Sequence, residues 1–192
     1  MYQKYHTEAL VLGNRVSGEA DRTIALYTKE FGLIRARARA VRAEKSKMRY
    51  AVQNYSRASV SLVRGSGGWR LAGARALSGS EGADPRSIAA FARIAELVTR
   101  LVAGEESNEY LFEVLSHAHA ALMENTSRAA TAPIELLCVA RTLFALGYIS
   151  SEALGTALFA HTAYTEPHLR EAKALEPALI ASINRAITET HL

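Results

Sequence analysis

Three arginines alternate with alanines in one short stretch, Arg35-Ala36-Arg37-Ala38-Arg39. On a β-strand, residues two apart point to the same face. The three guanidinium groups then stand in a row, about 7 Å between neighbours by strand rise. Arginine keeps its charge and presents a planar fork that fits phosphate oxygens, so such a row can follow a phosphate backbone. Ile34, Ala36, Ala38 and Ala40 face the other way, and their small size suits the tight interior of a small barrel. The bland alternative is a solvated face, although three unpaired like charges in line serve solubility poorly. Arg42, Lys45, Lys47 and Arg49 extend the basic run, and Tyr50, Asn54 and Tyr55 follow it. Aromatic rings beside a basic groove can stack bases; each tyrosine suits a packed barrel-rim position equally well. Arg22 lies upstream, and Arg64 and Arg70 flank Gly65-Ser66-Gly67-Gly68. The arginine row with Arg22, Arg42, Lys45, Lys47, Arg49, Tyr50, Tyr55, Arg64 and Arg70 makes up the candidate nucleic-acid-binding set.

Other chemistry is poorly supported. The Gly65–Gly68 run lacks the Gly-Lys-Ser/Thr ending of a phosphate-binding loop and precedes a strand, so it reads as a hairpin turn. His117 and His119 lie about 200° apart around a helix and cannot share a metal there; they read as helix-surface residues. The single cysteine, Cys138, excludes an intrachain disulfide and a cysteine zinc site. It reads as a small core residue. Glu105, Glu106 and Glu109 read as a solvated helix start. No nucleophile–base pair and no acidic metal cluster stands out, so no enzyme, no cofactor and no metal is expected. Arg141 is different: it sits on a nearly apolar helix, where an unpaired charge is costly. It either pairs with an internal acid such as Glu135 or Glu109, or borders a groove that takes an acidic partner.

Charge is divided sharply along the chain. Residues 1–80 hold fifteen Lys/Arg against five Asp/Glu, a net of +10. Residues 81–192 hold eight against fourteen, a net of −6. The overall +4 thus hides a basic half joined to an acidic one. A field that dense points to a polyanion partner. No apolar run approaches the ~20 residues that span a bilayer, and the first residues lack a signal-peptide pattern. A cytoplasmic, nucleoid-associated protein is expected.

Two kinds of element must position these groups. Up to residue 78 the apolar period is two, in Glu8–Val16, Arg22–Thr28, Leu33–Val41, Ser56–Arg64 and Trp69–Leu77. Five antiparallel strands follow from that pattern. The polar stretch 42–55 has room for a short helix. A small, polar linker ending in Pro85 then precedes helical periodicity. Helices are expected over Ser87–Val102, Asn108–Met123, Pro133–Leu146, Glu152–His161 and Pro177–Thr190. Pro167 and Pro177 both suit helix starts. The expected division is a barrel domain over 1–79 and a helical domain over 80–192, an α+β chain.

An ordered set of local words sharpens this reading. Glu8 to Gly13 (EALVLG), Gly18 to Arg22 (GEADR) and Thr28 to Leu33 (TKEFGL) resemble the opening of the RecO family of recombination mediators. Ala40 to Lys47 resembles that family's basic segment after the third strand, and Arg64 to Trp69 its fourth-to-fifth-strand hairpin. Phe144 to Tyr148 (FALGY) resembles the end of its central helix. The resemblance implies a five-stranded oligonucleotide-binding (OB) fold followed by an all-α domain. It implies binding of ssDNA and dsDNA and annealing of complementary strands. It also implies work with RecR to load RecA on strands coated by single-stranded-DNA-binding protein (SSB), whose acidic C-terminal tail would be the partner of Arg141. A different OB-fold protein acting on RNA is the alternative, and the 2′-hydroxyl is the discriminating group. Many members carry a four-cysteine zinc module after the FALGY-like word. Ile149–Tyr164 has no cysteine, so no zinc module is expected and a plain helix takes its place. Many members also continue with a basic tail beyond the point matching Leu192, and its contacts are not carried over.

Overall fold

The computed structural model describes residues 3–17, 19–43, 46–124 and 129–189, with the side chain of residue 153 left aside. Five strands form a closed barrel: β1 (Lys4–Val16), β2 (Arg22–Thr28), β3 (Gly32–Ala38), β4 (Arg57–Gly65) and β5 (Gly68–Ser78). Their order around the barrel is β1-β2-β3-β5-β4. All neighbours are antiparallel except β3 and β5, which meet in a short parallel pairing of Ala36 with Trp69 and Arg37 with Arg70. Closure removes the open edges that a five-stranded sheet would otherwise present.

The interior is built from one face of each strand. Ala9, Val11, Ile24, Leu26, Ile34, Ala36, Ala38, Ala58, Val60, Leu62 and Leu71 are all buried there. The alanines let opposite walls approach, as the sequence pattern requires. At one end Tyr5, Phe31 and Trp69 pack in a ring cluster with centroids 5.0–5.5 Å apart. The register of β1 slips between Val11 and Gly13, a bulge that bends the strand.

Two expectations about the barrel need correction. Strand β3 stops at Ala38, three residues early. Ala40 is exposed with φ at +50°, and its N–H is taken by the Asp21 carboxylate rather than by a strand neighbour. Ala40 therefore does not face the core, which Val41 enters instead. The described part of 42–55 is a series of turns, not a helix. Polar side chains satisfy its backbone locally: Asn14 donates to Val52 O, and Ser56 donates to Ala51 O and Gln53 O.

The helices are α1 (Pro85–Leu101), α2 (Glu109–Met123), α3 (Thr131–Ala145), α4 (Ser151–Leu154), α5 (Glu166–Ala174) and α6 (Glu176–Glu189), with a 3₁₀ turn at Leu158–Ala160. Asp84 caps α1 by accepting Arg86 N–H, and Asn108 caps α2 by accepting Leu111 N–H. The helix expected over Glu152–His161 is broken. Gly155 turns left-handed at φ +58° and ends α4 after one turn. Thr156 then binds Leu158 N–H and Glu171, holding the next turn apart. Helix α5 forms where Pro167 suits a helix start. Packing divides the chain into two units, Met1–Gly82 with Ala95–Phe112, and Ala83–Ile94 with Glu113–Leu192. Among the described residues no helix is long and apolar enough to cross a membrane.

Candidate nucleic-acid interface

The alternation of β3 holds. Ile34, Ala36 and Ala38 are buried while Arg35, Arg37 and Arg39 are exposed. The row is not uniform, however. Asp21, just before β2, takes Nε of Arg37 at 3.1 Å and Nη2 at 2.8 Å on one oxygen, while its other oxygen accepts Ala40 N–H at 2.9 Å. These contacts hold the Asp21 carboxyl below the usual carboxylate range, the Ala40 hydrogen bond most of all and the Arg37 guanidinium next. Arg35 and Arg39 form no ion pair with a described residue.

Three concavities of the barrel unit gather most of the remaining groups. The largest, about 720 Å³, lies over the bulge of β1 and the outer faces of β2 and β3, with the last turns of α1 on its other side. Arg35 enters it, together with Arg15, Arg100, Glu96, Thr23 and Thr99. Leu12, Gly13, Val16 and Ala25 give it an apolar part, and Val16 is 59% exposed. Its size and mixed lining suit a nucleotide, whose base needs an apolar wall and whose phosphate needs a cation. The second, about 240 Å³, is lined by Arg37, Arg39, Arg70 and the Gly65–Gly68 turn. The third, about 420 Å³, is lined by Asn14, Val16, Arg22, Gln53, Asn54, Tyr55 and Ser80. The Nε of Arg22 is buried without a hydrogen-bond partner among the described residues, and Asn14 donates to Asn54 at 2.7 Å.

The other expected residues are scattered by the fold. Arg42 is exposed but donates to Glu19 O at 2.8 Å. Lys47 and Arg49 are exposed, and Arg49 lies over the Tyr50 ring at 5.3 Å. Tyr50 is 63% exposed and so offers a free ring face. Tyr55 is half-buried, with φ at +63° and its N–H on Val11 O, which places it at the barrel rim. Arg64 lies over Trp69 and pairs with Glu105 at 3.2 Å, so that acid competes with any phosphate there. Lys45 lies outside the described residues. Arg15, Arg100 and Asn14 lie outside the candidate set. Arg15 and Asn14 close a strand whose pattern speaks only for its apolar positions, and Arg100 sits in a helix of the acidic half, so local patterns carry no signal for them.

Arg141 needs the plainest correction. It is fully buried, and its hydrogen bonds go to backbone carbonyls rather than to Glu135 or Glu109. Glu135 pairs with Arg93 at 2.6 and 2.7 Å, and Glu109 with Lys29 at 3.5 Å. Arg141 instead donates from Nε to Leu158 O at 3.0 Å and from Nη1 to Ala163 O at 2.9 Å, with the guanidinium 4.9 Å from the Tyr164 ring centroid. It ties the segment between α4 and α5 to α3. Burial pushes the neighbouring Cys138 thiol up to about 11, consistent with an inert core cysteine. His119 is also buried, edge-on to Phe91 at 5.2 Å, rather than on the helix surface. No group of three or more His, Cys, Asp or Glu among the described residues is placed to hold a metal.

Comparison with known proteins agrees with the barrel. Residues 1–78 match the family model described as "Recombination protein O N terminal". The chain is 41% identical over 61 residues to a DNA repair protein RecO of Desulfitobacterium hafniense, a stretch covering 32% of this chain and 22% of that protein. It is 34% identical over 119 residues to the DNA repair protein RecO of Pelotomaculum thermopropionicum, covering 58% of this chain and 44% of that protein. The matched stretches thus span less than half the length of these relatives.

Proposed function

We propose that the chain is a RecO-family protein, a reading supported by the match of residues 1–78 to that family's N-terminal model and by the similarity to the two RecO proteins above, and that it acts in DNA repair and recombination by binding DNA strands on the outside of the barrel. The single observation that carries the proposal is the exposed arginine row of β3, which opens at Arg35 into the nucleotide-sized cleft and at Arg37 and Arg39 into the smaller basic cavity. A single strand laid along β3 meets a guanidinium at every second residue. A stacking ring is available at Tyr50, and the aliphatic part of the large cleft offers a base an apolar wall.

The finer activity has a physical rationale in the same surface. Two complementary strands repel through their phosphates, and a basic surface that displaces their counterions lowers that repulsion. Annealing by this route needs positioned cations and no catalytic residue, so the activity we propose is not enzymatic. RecR, the SSB tail and indirectly the RecA filament are the proposed protein partners. Arg141 takes no part in holding the SSB tail, because its guanidinium is buried and already bound to carbonyl oxygens.

The test is a double charge reversal, Arg35→Glu with Arg39→Glu. Both side chains are exposed, so the barrel should keep its fold. If the parent contacts about four to six phosphates, log K for single-stranded DNA should fall with log salt at a slope near −3 to −4. The double variant should bind far more weakly and with a flatter slope. Unchanged affinity and slope in a folded variant would take the row out of the binding surface.

A further inference from the structure

The turn between β4 and β5 fails every sequence criterion for a phosphate loop, yet the tertiary structure surrounds it with arginines. Gly65 pairs with Gly68 to close the hairpin. The parallel pairing of β3 with β5 sets Arg37 beside Arg70, and Arg39 follows at the end of the row. These three side chains and the backbone of Gly65-Ser66-Gly67-Gly68 line one cavity of about 240 Å³. A Cβ built on Gly67 or Gly68 would meet no atom within 4 Å, so the turn's backbone lies open. Gly68 takes φ at +91°, which favours glycine.

Charge and size together select the ligand. Three guanidinium groups line the cavity, and one carboxylate, Asp21, is bonded to Arg37 beside it. A phosphodiester carries one negative charge. A phosphomonoester carries about −1.5 to −2 near neutral pH and three acceptor oxygens. The cavity is smaller than the ~300–1,000 Å³ of clefts that hold whole small molecules. It has room for a phosphate group and its nearest waters.

We propose that this cavity is a seat for the terminal phosphate of a nucleic-acid strand, a phosphomonoester, so that the protein distinguishes phosphorylated strand ends from hydroxyl ends. The proposal rests on the strand-binding reading above and deepens it. The strand body follows the arginine row toward the large cleft, and the end is anchored at the hairpin.

The experiment compares oligonucleotides of one sequence with a 5′-phosphate, a 3′-phosphate or hydroxyl ends, titrated with the full chain by fluorescence anisotropy. The variant is Gly67→Asp, which places a carboxylate at an open position without a clash. One phosphorylated form should bind at least about fivefold more tightly than the hydroxyl form at 0.1 M salt, the gain from one further phosphate charge. Gly67→Asp should abolish that difference, weakening the phosphorylated form by more than it weakens the hydroxyl form. Equal affinity of all three oligonucleotides for the parent overturns the terminal seat while the strand-binding reading stands. If no oligonucleotide binds, the strand-binding reading itself fails. Inorganic phosphate then reads the seat alone: a rise in melting temperature over matched chloride in the parent and not in Gly67→Asp supports it, and the same response in both overturns it.

Discussion

Asp21 is the residue at which fold and binding oppose each other, and Asp21→Asn separates them. One carboxylate oxygen accepts Ala40 N–H, which ends β3; the other holds Arg37. Asparagine keeps an acceptor for Ala40 N–H but loses the charge that neutralises Arg37. The Arg37–Asp21 pair is exposed to solvent, with 54% of the arginine side chain open, so its loss should lower stability only slightly. The gain lies on the binding side. If the released Arg37 contacts one more phosphate, the salt slope for single-stranded DNA steepens by about 0.7. Relative to a 1 M reference, that slope amounts to about fivefold tighter binding at 0.1 M salt. Anisotropy titrations at several salt concentrations give slope and affinity together, and urea unfolding gives stability. The expected signature is a slightly less stable protein that binds more tightly. Weaker binding with an unchanged slope, in a folded variant, would refute the placement of Arg37 on the phosphate path. The pH dependence follows with its sign. The Asp21 carboxyl is held low in the folded protein, so its contribution is fully present above the ordinary carboxylate pKa of about 3.9 and is lost as pH falls through the depressed value. The Asn variant should lack that part of the acid-unfolding curve.

Three further outcomes are expected. Gly32→Ala should destabilise the barrel unit by at least about 2 kcal/mol in urea unfolding, because Gly32 has φ +60° and a Cβ there would stand 2.0 Å from the Glu106 carbonyl oxygen; a loss within experimental error would contradict that close approach. Arg141→Met should cost about 1–3 kcal/mol by leaving the buried Leu158 O and the half-buried Ala163 O without this donor, seen as a lowered melting temperature, and DNA affinity at low temperature should not change; a variant as stable as the parent would mean that Leu158 O and Ala163 O find other donors. Cys138 should resist thiol reagents at pH 8 in the folded protein and react once unfolded, because burial lifts its thiol to about 11; rapid labelling of the native protein would show the site to be open.

Local periodicity alone determines a large part of this protein. The alternation of Ile34, Ala36 and Ala38 with Arg35, Arg37 and Arg39 sets the strand, its buried face and its basic face, because side-chain direction on a strand depends only on residue parity. The apolar stripes of α1 and α2 are legible for the same kind of reason at a period near 3.6, and α3 by being nearly apolar all round. Elements decided by a single backbone conformation or by a distant partner are not. Gly155 breaks an apparently helical segment through one left-handed residue, and Ala40 ends β3 through a hydrogen bond to Asp21, nineteen positions away. The candidate site divides along the same line. That Arg35, Arg37 and Arg39 are exposed is readable from the chain. That Arg37 is held by Asp21, that Arg64 is held by Glu105, and that Arg70 and the Gly65–Gly68 turn share a cavity with Arg37 and Arg39 follows only from the tertiary fold, which brings distant segments together as the barrel closes. Arg141 shows the limit most clearly. The sequence requires that a charge on an apolar helix be satisfied, but its partners are backbone carbonyls at 158 and 163, which every residue possesses and no side-chain pattern can announce.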